Sequence, residues 1–118
     1  LTKDGSMILT FKNPRLEKEF NNKIALIKKR GPEQAKLIML RLNQLRAANN
    51  LEVMRTLPQV RAHELKGGLK EIISLDLNHP YRLLIRPNYQ EIPRKEDGGL
   101  DWNRITKVQV WGVEDTHE

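Results

Sequence analysis

The sequence predicts an α+β domain in which an N-terminal strand and a helical hairpin pack on one face of a mainly antiparallel sheet. Two observations indicate this. Apolar residues recur at helical spacing in the first half of the chain, whereas the second half alternates with the period of two that strands show. Helices gathered at one end of a chain and strands at the other are typical of α+β folds, with helices on one face of the sheet.

The first half predicts one strand and two helices. Residues 7–11 form a short apolar run typical of a strand, and Asn13 followed by Pro14 is a helix start. The first helix should run to about Arg30, where Gly31 ends it and Pro32 begins the second helix. The expected inward faces are formed by Leu16, Phe20, Ile24 and Ile27 in the first helix, and by Ala35, Ile38, Leu42 and Leu45 in the second, widened by Leu37 and Leu40.

Cations surround this helical hairpin. Residues 28–30 are all basic and lie at its tip, while Lys23, Lys36 and Arg41 lie along its sides. We interpret them as a solvated helix face, with docking of nucleic acid or of an inhibitor protein as the alternative.

The second half predicts a meander of strands. After one short turn within residues 51–57, strands are expected at 60–65, 72–77, 81–86 and 107–113. The segment Asn78-His79-Pro80 should join two of them as an antiparallel hairpin, and a long polar loop spans 88–104. A loop of that length in a small domain is usually functional or mobile. Alternation places Ile73, Leu75 and Leu77 on one face and Ser74 and Asp76 on the other.

Length and composition limit the class of protein. At 118 residues the chain is long enough for one domain, which we place at 7–118. Residues 1–6 are interpreted as a cloning remnant before a native start at Met7. The chain has no cysteine, which excludes thiol catalysis, and no apolar run near the ~20 residues of a membrane span. We therefore expect a cytoplasmic protein that does not contact membranes.

The charge favours a polyanionic partner. The formal net charge is +6, from 21 Lys+Arg against 15 Asp+Glu, which suits nucleic acid or an acidic protein segment. Aromatic residues make up only 5%, which argues against a base-stacking sheet of the RRM or OB type.

The candidate functional residues lie between positions 61 and 87. Cleavage of RNA without a metal needs a base for the 2′-hydroxyl, an acid for the 5′ leaving oxygen, and cations for the phosphorane. Histidine suits the first two roles, and arginine and lysine suit the third. His63 could act as acid or base, with Lys66, Arg82 and Arg86 as phosphate-binding groups. His79, in a turn before proline, is expected to be structural or without a special role. No zinc-ligand spacing or glycine-rich phosphate loop is present.

From residue 7 to residue 117 the chain resembles bacterial toxins of the RelE/ParE superfamily, and within it the HigB-like toxins. The resemblance rests on the N-terminal strand and helical hairpin and on four ordered segments: HELKG at 63–67, ISLDL at 73–77, YRLLI at 81–85, and DTH at 115–117. It implies a RelE-like fold and cleavage of messenger RNA on the ribosome without metal or cofactor. It also implies inhibition by a cognate helix-turn-helix antitoxin.

The resemblance also assigns residues. It implies an acid/base pair of His63 and His117, assisted by Asp115, with Lys66 and Arg82 on the phosphate. Thr116 stands where such toxins carry a tyrosine, so an aromatic ring that could stack on a base is missing. The alternatives are a non-enzymatic toxin of the ParE type, which binds a protein target such as DNA gyrase, and an inactive relative kept for antitoxin binding or transcriptional control.

Overall fold

The computed structural model describes residues 4–67 and 71–115 and contains five strands and four helices. In chain order these are β1 (Ile8–Phe11), α1 (Pro14–Phe20), α2 (Lys23–Arg30), α3 (Pro32–Ala47), α4 (Glu52–Arg55), β2 (His63–Glu64), β3 (Ile73–Asp76), β4 (Tyr81–Pro87) and β5 (Lys107–Asp115). None of the helices in the described ranges is long and apolar enough to cross a membrane.

The strands form one sheet in the order β1-β5-β4-β3-β2. All neighbouring pairs are antiparallel except β1 and β5, which are parallel. The predicted α+β class is therefore confirmed. The helices cover one face, where Ile73, Leu75, Leu83 and Ile85 of the central strands join the buried side chains of α3 in the main hydrophobic core.

The first predicted helix is two helices. Asn21 and Asn22 interrupt it, and the side chain of Asn22 caps α2 by accepting a hydrogen bond of 3.0 Å from the Ala25 backbone N–H. The break changes the inward face, because Leu26 is fully buried whereas Ile24 is 79% exposed. The prediction that Ile24 faces the core is wrong.

The second predicted helix is confirmed, and Ala35, Ile38, Leu42 and Leu45 are all buried. Arg41 was expected among the solvated cations, but it is 3% exposed. Its guanidinium donates to the backbone carbonyls of Asp76 and Gln59, at 2.8 and 3.3 Å, and thereby ties α3 to the end of β3. Burial lowers the pKa of Arg41, and the nearby Asp76 carboxylate opposes that shift.

The 88–104 segment is anchored to the core. Leu100 and Trp102 are 4% and 5% exposed, and both belong to the main core with Ile105, which follows the segment. Backbone hydrogen bonds from Leu51 N–H to Ile105 and from Glu52 N–H to Trp102 tie its end to the start of α4. The segment is therefore a packed part of the fold with a polar outer side.

Candidate functional site

The sheet face away from the helices, which we call the open face, carries most of the polar residues of the central strands. Across β2, β3 and β4 the register aligns His63, Ser74 and Leu84 in one row, and it places Asp76 opposite Arg82 in the next. Directly opposed residues point to the same side of a sheet. A small apolar cluster of Leu65, Ile72 and Leu84 covers part of this face.

A cleft of about 300 Å³ opens beside this face at the β3–β4 turn. We call it the arginine cleft. Its lining residues are Arg61, Asp76, Leu77, His79, Pro80, Tyr81 and Arg82.

Two guanidinium groups flank a single carboxylate in the arginine cleft. The Nε atoms of Arg61 and Arg82 each lie 3.6 Å from an Asp76 carboxylate oxygen. That distance permits attraction between the charges but is too long for a good hydrogen bond. Arg61 is also largely exposed, with 75% of its side-chain surface accessible. The two guanidinium groups are therefore held by charge, and within the described residues this contact leaves N–H groups able to bind an anion.

Two buried polar atoms of the open face lack hydrogen bonds. Neither the hydroxyl of Ser74 nor Oδ1 of Asp76 has a hydrogen-bond partner in the part of the chain that the structure describes. Buried polar groups without partners are rare in folded proteins because each costs about 1–3 kcal/mol. Both belong to β3: Ser74 lies in the row that carries His63, and Asp76 lies in the row that carries Arg82. Hydrogen bonds among the described residues therefore do not account for these two buried polar groups.

The backbone at Arg61 is left-handed, with φ 49°, which is uncommon for a residue with a side chain. This conformation accompanies a hydrogen bond of 2.9 Å between the Arg61 carbonyl and Nδ1 of His63. Because a carbonyl only accepts, Nδ1 carries the proton, and the neutral ring then presents its lone pair on Nε2. The arginine backbone thus fixes the tautomer and orientation of an exposed imidazole.

Of the residues predicted from sequence, Arg82 and His63 are brought to this region. Arg82 lines the cleft, and His63 lies next to it because its ring is hydrogen-bonded to the backbone carbonyl of Arg61, a residue of the cleft lining. Lys66 is exposed and lies two residues past the end of β2.

Asp115 and Arg86 lie elsewhere. Asp115 is opposite Tyr81 in the register, one residue out of step with Arg82, so its side chain is on the other face of the sheet. Arg86 forms a 2.9 Å ion pair with Glu71, which also binds Arg94 of the 88–104 segment. Through Glu71, Arg86 thus connects that segment to β4. The phosphate-binding role of Arg86 stays a prediction. Thr116 and His117 lie outside the described residues.

Three cleft residues were not singled out from the sequence: Arg61, His79 and Tyr81. No sequence pattern signals the left-handed backbone of Arg61. His79 was interpreted as a turn residue, yet the turn places it on the cleft wall. Proline after His79 is a sequence signal for a tight turn, and such a turn brings the residues on both sides of it close together.

Comparison of the chain with protein-family models, with curated proteins and with solved structures finds no significant match. Within the ranges 4–67 and 71–115, no three His, Asp or Glu side chains are grouped so that they could hold a metal ion. The chemistry of the site must therefore be argued from its own residues.

Proposed function

We propose that this protein is the toxin of a bacterial toxin–antitoxin pair, a ribosome-dependent endoribonuclease with a RelE-like fold of the HigB type. It would act in the cytoplasm on messenger RNA and be neutralised by a helix-turn-helix antitoxin. The observation that carries the proposal is the arginine cleft, where Arg61 and Arg82 share one carboxylate without hydrogen bonds and imidazoles lie close by. The sequence resemblance, including HELKG and YRLLI, points to the same activity.

The chemistry assigned to these residues is an internal transesterification. Nε2 of His63 takes the proton of the ribose 2′-hydroxyl, and the 2′-oxygen then attacks the adjacent phosphorus. The guanidinium groups of Arg61 and Arg82 bind the non-bridging oxygens, whose negative charge grows in the transition state. The bond to the 5′-oxygen breaks, and that oxygen takes a proton from an acid. This leaves a 2′,3′-cyclic phosphate and a free 5′-hydroxyl.

The acid has two candidates. The resemblance implies His117, assisted by Asp115, whereas the cleft lining favours His79, because His79 and Arg82 both line the cleft. Imidazole is the side chain that most often serves as a general acid. Separate variants of the two histidines distinguish these assignments.

The test is primer extension on messenger RNA from cells that briefly express each variant. Wild type and the control Lys95→Gln, an exposed site outside the cleft, should give new 5′ ends within translated codons. His63→Ala and Arg82→Gln should each reduce cleavage by about 10²-fold or more. Of His79→Ala and His117→Ala, the one that removes the acid should show a similar loss.

Growth arrest by wild type without any new 5′ ends would reject the nuclease and favour the ParE-like alternative, in which the protein binds a target such as DNA gyrase. Full cleavage by the Arg82→Gln variant would reject the arginine cleft as the site. Cleavage of free messenger RNA at the same codons without ribosomes would reject the ribosome dependence.

A further inference from the structure

A second cavity, which we call the basic groove, lies where β1 runs into α1. Its volume is about 230 Å³. It is lined by Lys12, Asn13, Arg15, Leu16, Glu19, Lys29, Arg30 and Trp111. Four cations and one carboxylate therefore surround one exposed aromatic ring. None of these residues takes part in the arginine cleft.

Two of the four cations have no ion pair among the described residues. Lys29 and Arg30 bind the two oxygens of Glu19, at 2.9 and 2.8 Å, and this contact joins α2 to α1. Lys12 and Arg15 are exposed and form no ion pair with a carboxylate in the described part of the chain. Internal pairing therefore explains half of the positive charge, and Lys12 and Arg15 are available to an anion.

The indole of Trp111 is presented to solvent by a β-bulge. Leu84 pairs with Gly112 and Ile85 pairs with Val110, so Trp111 is the extra residue of β5. Gly112 follows with φ 137°, a backbone conformation that strongly favours glycine. The ring is 36% exposed, whereas the other tryptophan, Trp102, is 5% exposed.

Two contacts hold the ring in place. Its Nε1–H donates to Oε1 of Gln109 at 2.8 Å, and Nζ of Lys12 lies 4.3 Å from the ring centroid. A rigid aromatic surface beside unpaired cations is what proteins use to bind single-stranded nucleic acid, because bases stack on the ring and phosphates contact the cations.

Trp111 forms the side of the basic groove that adjoins the open face, while residues of α1 and α2 line its other side. Gln109 is opposite Arg86 in the register, so Trp111, which is hydrogen-bonded to Gln109, shares the open face with Arg82. Three residues along β5 and one strand spacing separate Trp111 from Arg82, which corresponds to about 11 Å between their Cα atoms. A few nucleotides of an extended strand span that distance.

We infer that the basic groove binds single-stranded RNA next to the segment held in the arginine cleft, with a base stacked on Trp111 and a backbone phosphate on Lys12 and Arg15. This inference rests on the proposed function, since it extends the path of the same substrate. Trp111 would then stack on a base, as the tyrosine that Thr116 replaces could do in the toxins that the chain resembles.

The test measures binding of a fluorescein-labelled decamer of 2′-O-methyluridine, which cannot be cleaved, by fluorescence anisotropy at several salt concentrations. Wild type should bind with Kd of about 10⁻⁴ to 10⁻⁶ M. Trp111→Leu should weaken binding by roughly 5-fold or more. Arg15→Gln should also weaken it and should lower the slope of log Kd against log salt by about 0.7. The matched control Lys95→Gln removes the same charge outside both cavities and should change Kd by less than twofold.

Fluorescence of Trp111 gives an independent signal. In a Trp102→Phe background, RNA should quench the remaining tryptophan, and quenching should saturate with the anisotropy curve. Circular dichroism of each variant checks that the fold is retained. Arg15→Gln changes an exposed side chain, so it still tests the inference if Trp111→Leu does not fold.

Different results would overturn different claims. Weaker binding by Arg82→Gln but not by Trp111→Leu or Arg15→Gln would overturn the basic groove and leave the arginine cleft standing. Groove-dependent RNA binding by a wild type that makes no cuts in messenger RNA would support the groove and reject the nuclease. No RNA binding at low salt, or binding of a polyglutamate peptide in the groove instead, would overturn the inference.

Discussion

Glu19 and Asp76 are carboxylates that each lie between two cations, and the difference between them separates structure from function. Glu19 accepts hydrogen bonds at 2.9 and 2.8 Å from Lys29 and Arg30, and 13% of its side-chain surface is exposed. Asp76 attracts Arg61 and Arg82 from 3.6 Å, and its Oδ1 has no hydrogen-bond partner among the described residues. The first arrangement is complete, whereas the second leaves its cations able to bind another anion.

The same contrast holds between the two faces of the sheet. The helix-covered face buries the main core, while the open face buries a small cluster that comprises, among the described residues, Leu65, Ile72 and Leu84. We therefore expect stability to depend chiefly on one face and activity on the other. The following variants test that division.

The largest effect is expected from adjacent leucines of β4 that point to opposite faces. Leu83→Ala removes a fully buried side chain from the main core and should lower the free energy of unfolding by about 3–5 kcal/mol. Leu84→Ala, in the small cluster, should cost about 2 kcal/mol because solvent and neighbours can fill the space. Urea denaturation measures both, and equal losses would contradict the division.

Glu19→Gln should lower stability at neutral pH by about 1 kcal/mol. Burial, the largest influence on the pKa of Glu19, raises it, but hydrogen bonds and charge from Lys29 and Arg30 bring it below its ordinary value. A lowered folded-state pKa stabilises the protein above the unfolded-state pKa, and that contribution disappears as pH falls through the folded-state pKa.

Wild type and Glu19→Gln should therefore differ in melting temperature at pH 7 and converge below about pH 4. The exposed Glu17, on the same helix and without an ion pair in the described ranges, supplies the control Glu17→Gln. It should not reproduce the pH-dependent difference. A constant difference from pH 7 to pH 3 would mean that packing, and not charge, connects Glu19 to the fold.

Asp76→Asn should have the smallest effect on stability, below about 1 kcal/mol, because its ion pairs are long and partly solvated. Removal of its charge leaves Arg61 and Arg82 uncompensated, so affinity for the 2′-O-methyl decamer should rise several-fold. Anisotropy and thermal denaturation measure the two effects. A fall in affinity would show that Asp76 is needed to hold the arginines in position.

Much of the fold could be predicted because it follows local rules. Proline and glycine around α3, and the alternation in β3 and β4, led to the correct elements and largely to the correct inward faces, except that Leu40 of α3 is 43% exposed. The error at Ile24 arose because helical spacing was followed through Asn21 and Asn22, although asparagine is a strong helix-capping residue. A cap can restart a helix with a different inward face.

The remaining features depend on contacts distant in sequence. Arg41 is buried because carbonyls of Gln59 and Asp76 reach its guanidinium, and Trp102 is buried because the end of its segment pairs with the start of α4. Of the candidate site, Arg82 and His63 could be selected from sequence by residue type and resemblance. Arg61 could not, because its left-handed backbone brings it to the cleft, whereas the turn before Pro80 was the sequence signal for His79.

The left-handed backbone of Arg61 has an evolutionary consequence. Glycine would occupy that conformation with less strain, so selection for folding alone favours glycine there. Glycine would keep the carbonyl that orients His63 but would lose the guanidinium. Among descendants of this gene, lineages that lose the proposed activity should therefore drift towards glycine at position 61, while those that keep it should retain arginine.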